Sequence, residues 1–279
     1  MDTKILVKKI AKFHKNYENE NLKSRIERKS EYLKSPKDAL FFILSLSFYQ
    51  GRLDETSEKF EKKAKKALEE FFKETNPFSR SFRRIHIVKY TDGKKKELNA
   101  SEYEEELKPR YSELLENLKE NGLNKRGDRL MVAGLINFIE SNEEKNIVKM
   151  LVKKIRSKNI EEAYNELDSI WSIGPKISSL ILRDIVYIYK LEPYLNKESY
   201  YYLQPVDTWV HQVSEKLELI DLEKAKDKND KSKIYEDESK DITDKCFEFG
   251  VNPIHYNQGA WYVGKNSLKV LLENLEMIK

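Results

Sequence analysis

The chain has 279 residues, enough for one large domain or two interlocked smaller ones. Hydrophobic residues make up 39% and charged residues 36%, which excludes a disordered or membrane-embedded class. Lys and Arg total 52 against 48 Asp and Glu, and the net charge of +4 does not announce a nucleic-acid partner. Dense charge of both signs is what ion-pair-laced surfaces look like, so a DNA-binding face must come from local clustering.

In chain order, Met1-Asp2-Thr3-Lys4 opens no apolar signal segment, and a cytoplasmic location is expected. Residues 38–72 carry Leu40, Ile43, Leu44 and Leu46, then Phe60, Ala64, Ala67 and Leu68, at helical spacing. Gly51 separates these into two helices. No apolar run here approaches the roughly 20 residues of a membrane span, so no membrane partner is expected. Residues 84–90 are β-branched and aromatic, and Asp92-Gly93 is a turn signal, which predicts a small peripheral β-hairpin near residues 84–98. Ser101 and Glu104 match a capping box for a helix reaching Asn121 and ended by Gly122. Two further helices follow over 129–140 and 143–157.

The most informative stretch is 160–217. Ile160, Ala163, Leu167 and Ile170 define one amphipathic helix, and Ile177, Leu180, Ile181, Ile185 and Ile188 define a second. Between them Ile173-Gly174-Pro175-Lys176 forms a tight turn, with Pro175 suited to a first helical turn. So short a connection points the second helix's free N–H groups outward, where they can hold a phosphate. Thirty-one residues beyond Lys176, Gln204-Pro205-Val206-Asp207 precedes an apolar stripe of Val206, Val210, Val213 and Leu217. Asp207 therefore stands at or near a helix start, where Asp is also a favoured cap. From residue 221 to 245, 16 of 25 residues are charged, which reads as a solvated helix or loop.

The order of hairpin, Gly-x-Lys, helix, loop, Pro-x-Asp and helix resembles the helix-hairpin-helix (HhH-GPD) DNA glycosylase superfamily, over about residues 35–265. Leu44-Ser45-Leu46-Ser47-Phe48 is similar to the family's early Leu-Ser helix. Asn257-Gln258-Gly259-Ala260-Trp261-Tyr262 resembles a C-terminal segment that lines the base pocket of 8-oxoguanine glycosylases. The resemblance implies a mainly α fold of two helical domains with a DNA cleft between them. Residues 35–205 would form a helical-barrel domain ending in the hairpin, and 1–34 with 206–279 a second domain built from both termini. It also implies Lys176 as catalytic nucleophile, Asp207 as its partner carboxylate, Ile173, Gly174 and Ser178 as DNA-backbone contacts, and Gln258 and Tyr262 as the base pocket.

Lysine at that position marks the bifunctional branch, which removes oxidised bases through a lysine Schiff base and then nicks the strand as an AP lyase. The implied partner is damaged double-stranded DNA, met as a monomer. One departure is local: Trp171 and Ser172 stand where the family commonly has Pro and Gly, and Ser tolerates a tight turn less readily than Gly. The Lys-to-Asp spacing is also long, and the excess falls in a tyrosine-rich loop over 191–204. That loop is expected to pack against the body, as are Trp209 and Trp261 in the core. A single Cys246 excludes a disulfide or a cysteine-ligated cluster, and the four histidines show no ligand spacing, so neither metal nor cofactor is expected. Two alternatives stay open: a monofunctional glycosylase in which Asp207 activates water, and a non-catalytic protein that keeps the hairpin as a backbone clamp.

Overall fold

The computed structural model describes residues 2–49, 54–91, 94–221 and 231–273. The chain is mainly helical, and no described helix is long and apolar enough to cross a membrane. It divides into two compact units.

One unit comprises Ser30–Lys154 and Glu162–Ile177. Helix α5 (Pro36–Ser47) starts at Ser35, whose hydroxyl accepts the Asp38 N–H at 3.1 Å. Helix α6 (Asp54–Glu74) follows, and Gly51 between them lies outside the described residues. Strands β1 (Val88–Thr91) and β2 (Lys94–Glu97) pair antiparallel, Val88 opposite Glu97; the Asp92-Gly93 turn lies outside the described residues.

Helix α7 (Ala100–Glu120) begins two residues earlier than the Ser101 pattern indicates. Its capping box is Asn99 with Glu102, while Glu104 instead receives Arg126. Pro109 bends α7 at Tyr111. Helix α8 (Arg126–Ser141) is buried continuously from Leu130 to Glu140 and is the axis of this unit. Helices α9 (Ile147–Arg156) and α10 (Ile160–Asp168) complete it.

The other unit comprises Met1–Lys29, Ile155–Glu161 and Ser178–Lys279. It holds α1 (Thr3–Lys12), the short helices α2 (His14–Tyr17) and α3 (Lys23–Glu27), and most of α11 (Pro175–Tyr189), while α4 (Lys29–Lys34) falls, all but Lys29, in the first unit. It also holds α12 (Thr208–Lys216), α13 (Lys231–Glu248) and α14 (Pro253–Glu273). Val206, Val210, Val213 and Leu217 join Leu6, Val7, Ile10, Tyr256 and Ala260 in one buried core. Gly259 allows that packing: a Cβ there would lie 2.0 Å from the Ile10 carbonyl oxygen.

The units divide at Ser178, inside α11, rather than after residue 205. The reason is polar as well as apolar, because Arg183 and Asp184 of α11 are tied to residues of α2, α3 and α14, as described below. The charged 231–245 segment is likewise only half solvated, since Ser239, Ile242 and Thr243 are buried.

Candidate active site and nucleic-acid interface

The turn between α10 and α11 is built from its apolar residues upward. Ile170 and Ile173 are buried, and the Ile173 N–H donates to the Ile170 carbonyl at 2.9 Å. That closure puts Ser172 at φ 61°, the left-handed region where glycine is the easy choice. Trp171 stacks on Tyr103 with ring centroids 5.2 Å apart and planes 13° from parallel. Beneath them Gly134 of α8 faces the Tyr103 hydroxyl and Ile170, and a Cβ there would meet the hydroxyl at 3.0 Å. The aromatic stack thus anchors a turn that lacks both the proline and the first glycine.

From below, Arg84 donates to the Glu166 carbonyl at 3.0 Å, close to the carbonyl end of α10. A cation there suits the helix dipole.

Of the three expected backbone contacts, one is open. Gly174 caps α11 and its carbonyl accepts the Ile177 N–H at 3.0 Å. Its own N–H donates to no described residue, and the space where a Cβ would point is empty to 4 Å. Ile173 and Ser178 differ from the expectation. Ile173 seals the turn from inside and its amide is spent on Ile170, while Ser178, one turn into α11, is fully buried. Neither presents an atom to a phosphate. Lys176 is the second residue of α11 and partly exposed.

Asp207 is the N-cap of α12. Its Oδ1 accepts the N–H groups of Trp209 at 3.0 Å and Val210 at 2.9 Å, which holds the carboxylate in one place. The strand of chain leading to it is fixed too. Tyr235 donates to the Gln204 carbonyl at 2.6 Å and Asn257 to the Pro205 carbonyl at 3.5 Å.

Behind Asp207 lies a buried ionic network that the sequence reading passed over. Arg183 is 1% exposed. It donates through Nε (3.0 Å) and Nη2 (2.8 Å) to Asp184 Oδ1, through Nη1 to Asn257 Oδ1 at 2.7 Å, and to the Tyr17 hydroxyl. Asp184 is completely buried and takes a second cation, Arg25, at 3.3 Å. Burial alone would lower the Arg183 pKa, but the charges of Tyr17, Asp184 and Asp207 outweigh it and raise the value. Arg183 is therefore a fixed positive charge within electrostatic reach of Asp207. A charged Arg-Asp pair on the otherwise apolar face of α11 was the available signal.

Gln258, on α14, is fully buried and neither end of its amide has a hydrogen-bond partner among the described residues. Such a group costs on the order of 1–3 kcal/mol unless something fills its needs. Tyr262, one turn on, is partly exposed and stacks on Phe13 with ring centroids 6.1 Å apart. Trp261 packs against the core, edge-on to Tyr17 at 5.3 Å. Trp209, in contrast to the expected core position, is 37% exposed, because Val210 and Val213 take the inward face of α12.

Of the tyrosines of the 191–204 loop, Tyr200 packs edge-on against Phe247 at 5.3 Å and Tyr201 donates to Asp244 at 3.2 Å, whereas Tyr194 is exposed. Cys246 is buried, which pushes its thiol pKa up. No group of acidic, histidine or cysteine side chains that would hold a metal occurs among the described residues.

No family model, curated protein or solved structure matches the chain.

Proposed function

We propose that the protein is a DNA glycosylase with AP lyase activity, acting on damaged double-stranded DNA through Lys176 and Asp207. The observation that carries the reading is the α10–α11 turn. There an unengaged Gly174 N–H, open to a close-approaching phosphate, immediately precedes a helix with lysine in its first turn. Backbone amides and a helix N-terminus hold a phosphodiester without reading sequence, which is what an enzyme searching for lesions requires. The capped, rigid carboxylate of Asp207 supplies the second element.

A base stacked in duplex DNA hides its glycosidic bond, so the nucleotide must be extruded before reaction. The Lys176 amine, once neutral, attacks C1′, and the C1′–N bond breaks with its electron pair leaving on the base. Opening of the sugar ring at O4′ gives the Schiff base, and loss of a C2′ proton then expels the 3′ phosphate. Asp207 accepts the proton from the amine and stabilises positive charge developing at C1′. The residues of one compact unit, Gln258 and Tyr262, form the base pocket in this reading. A buried amide offering both donor and acceptor suits a purine edge, and the preferred lesion is 8-oxoguanine.

Base release from a panel of lesion-bearing duplexes tests the proposal. The expected result is release of 8-oxoguanine first, with Asp207→Asn losing at least two orders of magnitude in turnover. Asn is itself a good cap, so stability should hold. Intact turnover in a correctly folded Asp207→Asn protein would reduce Asp207 to a structural cap.

A further inference from the structure

A second cationic cluster lies within the unit that carries α5–α8. Arg80, Arg83 and Arg110 cluster there. The Arg110 guanidinium lies 5.0 Å from the centre of the Phe82 ring and Arg80 lies 5.7 Å from it. Arg110 also donates to the Arg83 carbonyl at 2.8 Å. Lys145 joins them, donating to the Glu140 carbonyl at 2.8 Å and the Ser81 hydroxyl at 3.4 Å.

Among the described residues none of these three arginines has a carboxylate within salt-bridge distance. That is notable in a chain whose other surfaces pair Lys with Glu repeatedly. The acid they face is Glu140, which is buried, receives the Tyr111 hydroxyl, and is shifted by burial toward its neutral form. A single carboxylate, it offsets at most one of the four positive charges of Arg80, Arg83, Arg110 and Lys145. The positive field is felt by neighbours: His86 has its pKa lowered first by burial and then by Arg84 and Arg83.

We propose that the surface formed by Arg80, Arg83, Arg110 and Lys145 binds the phosphate backbone of duplex DNA. Its residues are other than those of the α10–α11 turn. The inference rests on the glycosylase reading for its partner, but its physical basis is the unneutralised charge itself. Arg80 and Arg110 are held against the Phe82 ring, and Arg110 also by its bond to the Arg83 carbonyl, so these two lose little side-chain freedom on binding. Backbone contacts of this kind position a duplex without selecting its sequence.

The test uses undamaged duplex DNA and the full chain, comparing wild type with Arg83→Gln and with the Arg80→Gln/Arg83→Gln double variant. Affinity is measured from low to moderate salt. Each lost phosphate contact lowers the slope of log K against log salt by about 0.9, so the double variant should lose about 2 in slope. Affinity at moderate salt should fall roughly tenfold or more. Arg80→Lys/Arg83→Lys, which keeps the charge, should restore the wild-type slope. Slopes unchanged across all variants, or no wild-type binding to duplex DNA, would overturn the proposal. Lesion-dependent borohydride trapping, run in parallel at saturating DNA, separates the two readings. Trapping with unchanged slopes removes this surface alone. Altered slopes without trapping remove the glycosylase and leave the surface standing.

Discussion

Replacing Arg183 by Leu strips a buried network of its centre. Three hydrogen bonds of known length end on Arg183: two to Asp184 Oδ1 at 3.0 and 2.8 Å, and one to Asn257 at 2.7 Å. The substitution leaves Asp184, with no exposed surface, facing only Arg25 at 3.3 Å. It also strands the Asn257 carbonyl and the Tyr17 hydroxyl. Breaking a buried ion pair from one side costs about 3–5 kcal/mol, because the remaining charge is uncompensated. A shift of roughly 2–4 °C per kcal/mol then gives a fall in Tm of about 10 °C.

The assay is thermal and urea unfolding of Arg183→Leu, Asp184→Leu and the double variant. If the cost is the stranded carboxylate, adding Asp184→Leu to Arg183→Leu should recover at least about 2 kcal/mol, since an apolar pair can replace a buried ionic one at little net cost. A single variant within about 0.5 kcal/mol of wild type, or strictly additive losses in the double, would refute this reasoning.

Two further outcomes follow from packing and titration. Gly259→Ala brings a Cβ to 2.0 Å from the Ile10 carbonyl oxygen, so α1 must move; a loss of about 3 kcal/mol or more is expected in urea unfolding, and wild-type stability would show that α1 does not seat on α14. His255 stacks on His14 at 3.9 Å, and its pKa falls from an ordinary 6.5 to about 4, first from burial and then from the charges of His14 and Lys15. Because the folded value is the lower one, its contribution is full above about pH 6.5 and is lost as pH falls toward 4. Discounted for partial exposure, the loss is on the order of 1–2 kcal/mol. Comparing Tm against pH for wild type and His255→Gln should show a smaller acid slope in the variant, and equal slopes would contradict the assignment.

The helices were legible because their cores repeat at helical spacing: the Val206, Val210, Val213 and Leu217 stripe lies inward as read. Local signals misled where two candidates competed. Asn99-x-x-Glu102 and Ser101-x-x-Glu104 both match a capping box, and tertiary structure chose the first by giving Glu104 to Arg126. The turn residue Ser172 looked a poor substitute for glycine, yet it takes the left-handed conformation because Trp171 stacked on Tyr103 and the buried isoleucines on either side determine it. Neither prop is visible in the turn's own sequence, since Tyr103 lies far away in the chain. Asp207 was recognisable as a cap from its place before the stripe, whereas its electrostatic neighbour Arg183 was hidden among apolar residues. Gln258 was legible as a polar residue in an aromatic segment, but its burial without a partner is a property of the packed helix alone.

The central claim is the covalent role of Lys176, and borohydride trapping on 8-oxoguanine-containing duplex DNA tests it most directly. Wild-type protein should form a reduced, denaturation-resistant adduct mapping to the peptide that contains Lys176, and Lys176→Gln should form none while keeping its fold and its affinity for undamaged duplex. An adduct that persists in Lys176→Gln, or base release by wild type with no adduct on any lesion duplex, would contradict it.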